Sequence, residues 1–251
     1  MNNKTIGVIG IGKLGLSFAL LAERSGYHVI AYDNRPDYIA SLIINDYKTS
    51  EPFINEYLQK SQIGYAKNIE GVINQCDTVF CFVATPSLSD GGYDHSSVDD
   101  IVNQLQELHV QGLQMDNKIL VIGCTTMPGY CNTVQSRLDQ TGISVVYNPE
   151  FIAQGDIING LKKADMVLVG TDDDKAYLAL QGIYRTIMTQ EPKFNRMSPT
   201  AAEITKISIN CFLTMKIAYA NMIGEIAINS GIESEVDTIL QAIGNDTRIG
   251  N

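Results

Sequence analysis

Three polar side chains in the sequence have the types and spacing required for proton transfer and for stabilising a developing oxyanion. Lys206 and Asn210 are four residues apart in an apolar, helix-compatible stretch, so one helix face can direct an ammonium and an amide at the same oxygen. Glu150 follows a strand-like run, at the kind of sheet edge where ligands bind in open α/β folds. We interpret all three as candidate catalytic residues, against the alternative that they are ordinary surface or polar positions.

A glycine-rich turn near the N-terminus has the spacing of a pyrophosphate-binding loop. It follows one strand-like run and opens a helix, and a second strand-like run ends at Asp33, about 20 residues further on. Glycines allow a tight turn, a close approach of the backbone to phosphate and close helix–strand packing, while the helix N-terminus supplies amide donors. We predict a dinucleotide site that contains Gly10, Ile11, Gly12, Lys13, Leu14, Gly15 and Asp33.

Asp33 also indicates which dinucleotide binds. Its carboxylate can accept hydrogen bonds from both hydroxyls of the adenine ribose and would repel a 2′-phosphate, which favours NAD over NADP. Arg35 is the counter-argument, because an arginine there could pair with that phosphate. We interpret Arg35 as a solvent-exposed side chain and predict NAD as the cofactor.

The strand-like runs alternate with helix-like stretches, and several runs are apolar at every position, as in strands covered on both faces. This pattern predicts an α/β fold with a doubly wound parallel Rossmann-type sheet. The predicted strands are residues 5–9, 29–32, 78–83, 119–122, 144–147 and 166–169.

Beyond residue 196 the pattern changes to one long helix. Ser198-Pro199 is typical of a helix start, and the helix-compatible stretch continues to about Ser230, before Gly231. Its apolar residues cover more than one stripe, which predicts burial between two layers, one of them a second subunit. We predict a Rossmann-type domain at 1–196, a helical dimerisation domain at 197–251, and a homodimer.

Composition limits the partners and the location. The 251 residues carry a net charge of −10, which gives no basic surface for nucleic acid or anionic lipid. Glycines interrupt the apolar N-terminal run, so it matches neither a signal peptide nor a membrane span. Five cysteines without a Cys-x-x-Cys pair favour buried free thiols over disulfides or zinc. We expect a cytoplasmic protein with no metal site, no nucleic-acid partner and no membrane contact.

An ordered series of short motifs follows the glycine-rich turn. They are Phe80-Cys-Phe-Val-Ala-Thr85-Pro86, Thr125-Thr126-Met127-Pro128, Tyr147-Asn-Pro-Glu150-Phe151-Ile-Ala-Gln154-Gly155, Glu203-Ile-Thr-Lys206-Ile-Ser-Ile-Asn210 and Arg248-Ile-Gly250. In joint order and spacing the motifs resemble those of the UDP-glucose/GDP-mannose dehydrogenase family, over the whole length of the chain.

The resemblance implies a role for each motif. It assigns catalysis to Glu150, Lys206, Asn210 and Thr126, with the glutamate in acid/base work. It adds to the cofactor site Val83, Thr85, Pro86, Thr126 and Gln154. It assigns substrate binding to Glu150, Phe151, Ile152, Lys206, Asn210 and Arg248.

The reaction implied by the resemblance is oxidation of the primary alcohol of a UDP- or GDP-sugar to a uronate, with reduction of two NAD. In that scheme a cysteine traps the intermediate aldehyde, and water hydrolyses the resulting thioester. No cysteine follows Cys211, and the family's cysteine segment and nucleotide-sugar domain are expected beyond Asn251. We therefore expect the helical central domain to be incomplete at its C-terminal end, and the chain alone to bind NAD without forming a uronate.

Some positions depart from the family pattern, and other interpretations stay open. The departures are Gln154 and Met222 in place of glutamate, Tyr38 in place of a basic residue, and Gly129-Tyr130 after Pro128. Thr126 could only cap a turn, and Arg248 could have no partner. Two alternative functions are a single-step dehydrogenase of the 6-phosphogluconate and 3-hydroxyisobutyrate kind, which needs no cysteine, and a catalytically inactive NAD-binding module that dimerises.

Overall fold

The computed structural model describes residues 4–152 and 155–249 of the chain. In this part of the chain, eight strands form one sheet in the order β3-β2-β1-β4-β5-β6-β7-β8. The strands are β1 Thr5–Ile9, β2 His28–Tyr32, β3 Gly64–Tyr65, β4 Thr78–Cys81, β5 Ile119–Ile122, β6 Ser144–Tyr147, β7 Val167–Gly170 and β8 Phe194–Met197. The α-helices are α1 Lys13–Arg24, α2 Pro36–Ile43, α3 Ile54–Leu58, α4 Ile69–Ile73, α5 Ser96–Val110, α6 Tyr130–Leu138, α7 Ile157–Lys162, α8 Asp174–Ile187, α9 Pro199–Asn229 and α10 Val236–Gly244.

Strand β1 lies where the strand order reverses. It pairs in parallel with β2 on one side and with β4 on the other, so the chain winds outward in both directions from the middle of the sheet. Between β6 and β7, Tyr147 faces Gly170 in an antiparallel register, whereas β7 and β8 are parallel to each other. The predicted doubly wound α/β fold is confirmed, but the sheet is mixed at this one pairing rather than wholly parallel.

Alternate residues along the central strands face two separate apolar layers. In β4, Phe80 packs into one hydrophobic cluster, and Val79 packs into the other. Strand β5 does the same with Val121 and Leu120. Because both faces of the sheet are covered, these strands are buried at every position, and Thr78 is their one polar residue.

The six predicted strands all occur, with ends shifted by no more than two residues. The two unpredicted strands, β3 and β8, lie at the two edges of the sheet. Strand β3 is only two residues long, and β8 contains the exposed Asn195 and Arg196. Edge strands of this kind are short or polar, so no apolar run marks them in a sequence.

Helix α9 begins at the predicted Pro199 and ends at Asn229, shortly before Gly231 adopts a left-handed conformation with a φ of 74°. The chain divides within this helix into two compact units, one up to Ile204 and the other from Thr205 onward. The predicted domain boundary, between residues 196 and 197, lies shortly before the first turn of α9.

The apolar side chains of α9 are exposed in the single chain. Phe212, Met215, Tyr219 and Met222 are between 46% and 66% exposed. The prediction that this 31-residue helix is buried between two layers, one of them a second subunit, stays a prediction. By length and composition alone α9 could also cross a membrane, a criterion that core helices of soluble proteins meet as well.

Candidate functional site

The glycine-rich turn joins β1 to α1, and its glycines have different surroundings. Gly10 has a φ of 83°, and a Cβ there would lie 2.6 Å from the carbonyl oxygen of Phe82. A Cβ on Gly15 would lie 2.0 Å from the carbonyl oxygen of Gly10. Gly12, which immediately precedes α1, faces open space, since a Cβ there would have no neighbouring atom within 4 Å. The turn is therefore tight at two glycines and leaves room for a ligand at the third.

A cavity of about 650 Å³ opens above this turn. Its walls follow the carboxyl ends of β1, β2, β4 and β5, which surround the point where the strand order reverses. Open α/β sheets bind ligands at this position. The predicted cofactor residues that line the cavity are Gly10, Gly12, Lys13, Leu14, Asp33 and Val83.

Asp33 is buried at the end of β2 and already has several donors. Its Oδ2 accepts a hydrogen bond from the Ile11 amide at 3.1 Å, and Ile11 itself is fully buried. The guanidinium of Arg35 donates to both carboxylate oxygens, at 2.7 and 2.9 Å, and lies over the Tyr38 ring. The hydrogen bond to Asp33 raises the pKa of Arg35. Arg35 is exposed, as interpreted from the sequence, but it is also ion-paired with Asp33.

The loop after β4 continues the cavity wall with Val83 and Ala84. Thr85 and Pro86 come next and are not among the lining residues. Cys124, at the end of β5, does line the cavity, a position for which the sequence holds no signal. Cys76, Cys81, Cys124 and Cys131 are buried free thiols as predicted, whereas Cys211 is exposed.

Thr126 is fully buried, and its hydroxyl donates to Glu203 Oε1 at 2.9 Å. Glu203 is also fully buried. Its carboxylate accepts hydrogen bonds from the amides of Gly129 at 2.6 Å and Cys131 at 2.8 Å, at the N-terminus of α6. A carboxylate there is stabilised by the helix dipole as well as by the donors. Glu203 belongs to one of the sequence motifs, but the sequence analysis gave it no role. A carboxylate in the first turns of an otherwise apolar helix was the available signal that this side chain is buried and has hydrogen-bond donors.

Glu150 is half-buried in the loop after β6. The hydroxyl of Tyr184, on α8, lies 2.8 Å from Glu150 Oε1 and 2.6 Å from Asn148 Oδ1. Phe151 and Ile152 are half-buried and pack against opposite hydrophobic clusters. The predicted contact Gln154 lies outside the described residues.

Another buried carboxylate, that of Glu51, binds backbone amides at the start of α7. Glu51 is 6% exposed and accepts hydrogen bonds from the amides of Gly155 at 2.9 Å and Ile157 at 3.4 Å. These amides lie at the start of α7. Glu51 was not predicted, because it is more than 100 residues away from its partners in sequence.

The remaining predicted residues belong to the second unit. Lys206 and Asn210 are both half-buried on α9, and their spacing of four places them on one face of the helix. Arg248 is exposed and pairs with Asp246, Nη2 to Oδ2 at 2.6 Å. Among residues 4–152 and 155–249, no group of three His, Cys, Asp or Glu side chains could hold a metal ion.

A tight glycine turn, an acidic strand end and a cavity at the reversal point of a doubly wound sheet define a Rossmann-type dinucleotide-binding protein. The chain belongs to the UDP-glucose/GDP-mannose dehydrogenase family. The model of the family's NAD binding domain matches residues 4–188, and that of its central domain matches residues 200–251.

Relatives and solved structures agree with this family. The UDP-glucose 6-dehydrogenase of Rickettsia typhi is 28% identical over 248 residues, which cover 96% of this chain and 56% of the relative. The structure of a UDP-glucose dehydrogenase from Pyrobaculum islandicum matches with a TM-score of 0.87 and 26% identity, over 98% of this chain and 58% of that chain. A GDP-mannose dehydrogenase from Pseudomonas aeruginosa has the same fold, with a TM-score of 0.85 at 24% identity, over 96% of this chain and 56% of that one. The chain spans a little over half the length of these proteins.

Proposed function

We propose that the chain holds the NAD-binding and central domains of a nucleotide-sugar dehydrogenase, which oxidises the primary alcohol of UDP-glucose or a related UDP- or GDP-sugar to the uronate. The observation that carries the proposal is the family match, which extends through both domains. The cavity above the glycine-rich turn supports it independently, because its residues suit a dinucleotide.

The residues of the cavity fit NAD. The open space at Gly12 leaves room for a pyrophosphate beside the amides that begin α1. Asp33 offers two carboxylate oxygens to the ribose hydroxyls and disfavours a 2′-phosphate. When NAD is bound, its nicotinamide accepts hydride from the substrate carbon. Around it the protein supplies binding and orientation, with Val83, Thr85 and Pro86 proposed on the nicotinamide side and Gln154 as a further contact.

The catalytic roles are proposed from the family motifs. Glu150 acts as the acid and base, and Lys206 and Asn210 stabilise the negative charge that develops on the substrate oxygen. Phe151, Ile152 and Arg248 contact the sugar nucleotide. Thr126 keeps its proposed place beside the reacting centre, and its hydrogen bond to Glu203 supports a positioning role there.

We propose further that these 251 residues bind NAD without completing the oxidation. The second oxidation step needs a thiolate, and the buried thiols are poor sources of one. A hydrogen bond with Cys81, together with burial, raises the pKa of Cys124, and burial raises the pKa of Cys131. Cys211 is exposed but points about 100° around the helix from Asn210.

A cytoplasmic homodimer is the proposed state of the protein. The exposed apolar side chains of α9 support it, because a second copy would remove them from water. The net charge of −10 supports a protein that binds neither nucleic acid nor anionic membranes.

The test is to count the NADH formed per sugar. The purified chain is incubated with NAD and UDP-glucose, GDP-mannose or UDP-N-acetylmannosamine, and so is a fusion of the chain to the remaining C-terminal part of the Rickettsia typhi relative. We expect the chain to form no sustained NADH and the fusion to form two NADH per molecule of its sugar. One NADH per substrate would favour a single-step dehydrogenase. NAD binding without NADH from a correctly folded fusion would favour an inactive module.

A further inference from the structure

The buried hydroxyl of Tyr184 stands between two oxygen atoms. Tyr184 is 2% exposed, and its Oη lies 2.6 Å from Asn148 Oδ1 and 2.8 Å from Glu150 Oε1. The Asn148 amide is itself fixed, because its Nδ2 donates to the Leu168 carbonyl at 2.8 Å. Asn148 Oδ1 can therefore only accept a hydrogen bond from Tyr184.

The phenol has one proton for these two neighbours. Burial, together with the adjacent Glu150 carboxylate, raises the pKa of Tyr184 well above its ordinary value, so the hydroxyl stays protonated. When Glu150 is ionised, the Tyr184 proton is attracted to Glu150 Oε1. When Glu150 is protonated, its own hydroxyl can donate to Tyr184 Oη, and the Tyr184 proton can turn to Asn148 Oδ1.

We propose that Tyr184 is a positioning residue for Glu150, which holds the carboxyl group in the same place in both protonation states by turning one hydroxyl proton between Glu150 and Asn148. The proposal rests on the proposed acid/base role of Glu150. Tyr184 keeps its proton throughout, so no net proton transfer occurs at the phenol. The proton that Glu150 gains or loses is exchanged with the substrate or with water.

Such an arrangement suits a group that acts first as a base and later as an acid. A carboxyl group held by a fixed donor keeps that contact on protonation only if the proton goes to its other oxygen. With Tyr184 and Asn148 as a pair, a hydrogen bond to the carboxyl group exists in both states, and the reacting oxygen need not move between steps.

Infrared difference spectroscopy on the full 251-residue chain tests the proposal. The bands of Glu150 are assigned by labelling glutamate with ¹³C and comparing the chain with Glu150→Gln. In Tyr184→Phe we expect both the ionised and the protonated carboxyl bands of Glu150 to shift. The matched control is Tyr177→Phe on the same helix, whose hydroxyl accepts from Gln181, and it should move neither band.

A second measurement leaves Tyr184 unaltered, so it does not depend on whether Tyr184→Phe folds. With labelled tyrosine, the phenol band of Tyr184 should change as Glu150 is titrated in the unaltered chain, and this change should be absent in Glu150→Gln. A phenol band that stays constant, or a shift of the ionised carboxyl band alone, would overturn the proposal and leave Tyr184 as a fixed donor. These results do not depend on turnover, so they remain distinct from a failure of the proposed function in the NADH assay.

Discussion

At the scale of single residues, Asp33 is proposed to determine whether the cavity accepts NAD or NADP. Its carboxylate is buried and bridges the glycine-rich turn, through the Ile11 amide, to Arg35. The ion pair keeps the arginine beside the carboxylate rather than free for a 2′-phosphate. Asp33 is proposed to favour NAD, and the ion pair holds Arg35, the residue that would otherwise favour NADP, against the Asp33 carboxylate.

We predict that the chain binds NAD more tightly than NADP, and that Asp33→Ala weakens NAD binding by roughly tenfold to a hundredfold. Hydrogen bonds to a charged group contribute about 1.5–3 kcal/mol, and about 1.4 kcal/mol corresponds to a factor of ten in affinity. The variant also releases Arg35 from its ion pair, so the ratio of NAD affinity to NADP affinity should fall. Fluorescence titration with both cofactors measures this, with the exposed Asp37→Ala as the control.

A higher affinity for NADP than for NAD in the unaltered chain would show that Arg35, rather than Asp33, determines which cofactor binds. An Asp33→Ala variant with unchanged affinities would show that the ribose does not reach this carboxylate.

At the scale of secondary-structure elements, Glu203 joins the start of α9 to the loop after β5 and to the N-terminus of α6. Its carboxylate has a donor from Thr126 and two amide donors, all buried or partly buried. The Thr126 hydroxyl and the two amides therefore all have the Glu203 carboxylate as their hydrogen-bond acceptor. The position of the Thr126 loop is set by α9 through this contact.

We predict that Glu203→Ala lowers the free energy of unfolding of the first unit by roughly 3 kcal/mol or more, since each buried polar group left without a partner costs about 1–3 kcal/mol. Glu203→Gln should lose less, because the amide oxygen still accepts. Urea unfolding measures the loss, and Glu225→Ala, at an exposed position on the same helix, should stay within about 0.5 kcal/mol of the parent. Equal stability of the parent and Glu203→Ala would mean that the loop and α6 are held by other contacts.

The elements also show what a sequence can and cannot predict. The apolar central strands, the glycine-rich turn and the proline at the start of α9 have local signals, and each was found at or within two residues of its predicted place. The partners of the candidate catalytic groups have no such signal. Tyr184 is 34 residues from Glu150, and Glu203 is 77 from Thr126, so only the packing of helices on the sheet brings them together.

At the scale of the whole molecule, the exposed apolar surface of α9 leads us to expect a second subunit on this helix. Soluble monomers rarely leave large apolar patches in water, and Phe212, Met215 and Tyr219 are all about half exposed or more. The sequence predicts that two layers cover this helix, one of them from a second subunit, and this second layer stays a prediction. A homodimer built on α9 would supply it.

We predict that the chain is a dimer at micromolar concentration and that Tyr219→Glu or Phe212→Glu converts it to a monomer, because a carboxylate would be buried without a partner in the interface. Light scattering gives the mass directly. The exposed Leu178→Glu, on α8, is a control that should leave the dimer intact. A parent chain that is already monomeric would rule out this interface.

The central claim is that NAD binds in the cavity above the glycine-rich turn, and calorimetric titration of NAD into a variant at Gly12 tests it most directly. Gly12 has a φ of −61° and open space around a side-chain position, so Gly12→Val should fold normally while it fills the space that the pyrophosphate needs. The control is Gly182→Val, a helical glycine that also faces open space. We predict saturable binding of one NAD per chain in the parent and in Gly182→Val, and loss of binding in a folded Gly12→Val. Unchanged NAD affinity in Gly12→Val, or no binding to the parent, would contradict this claim.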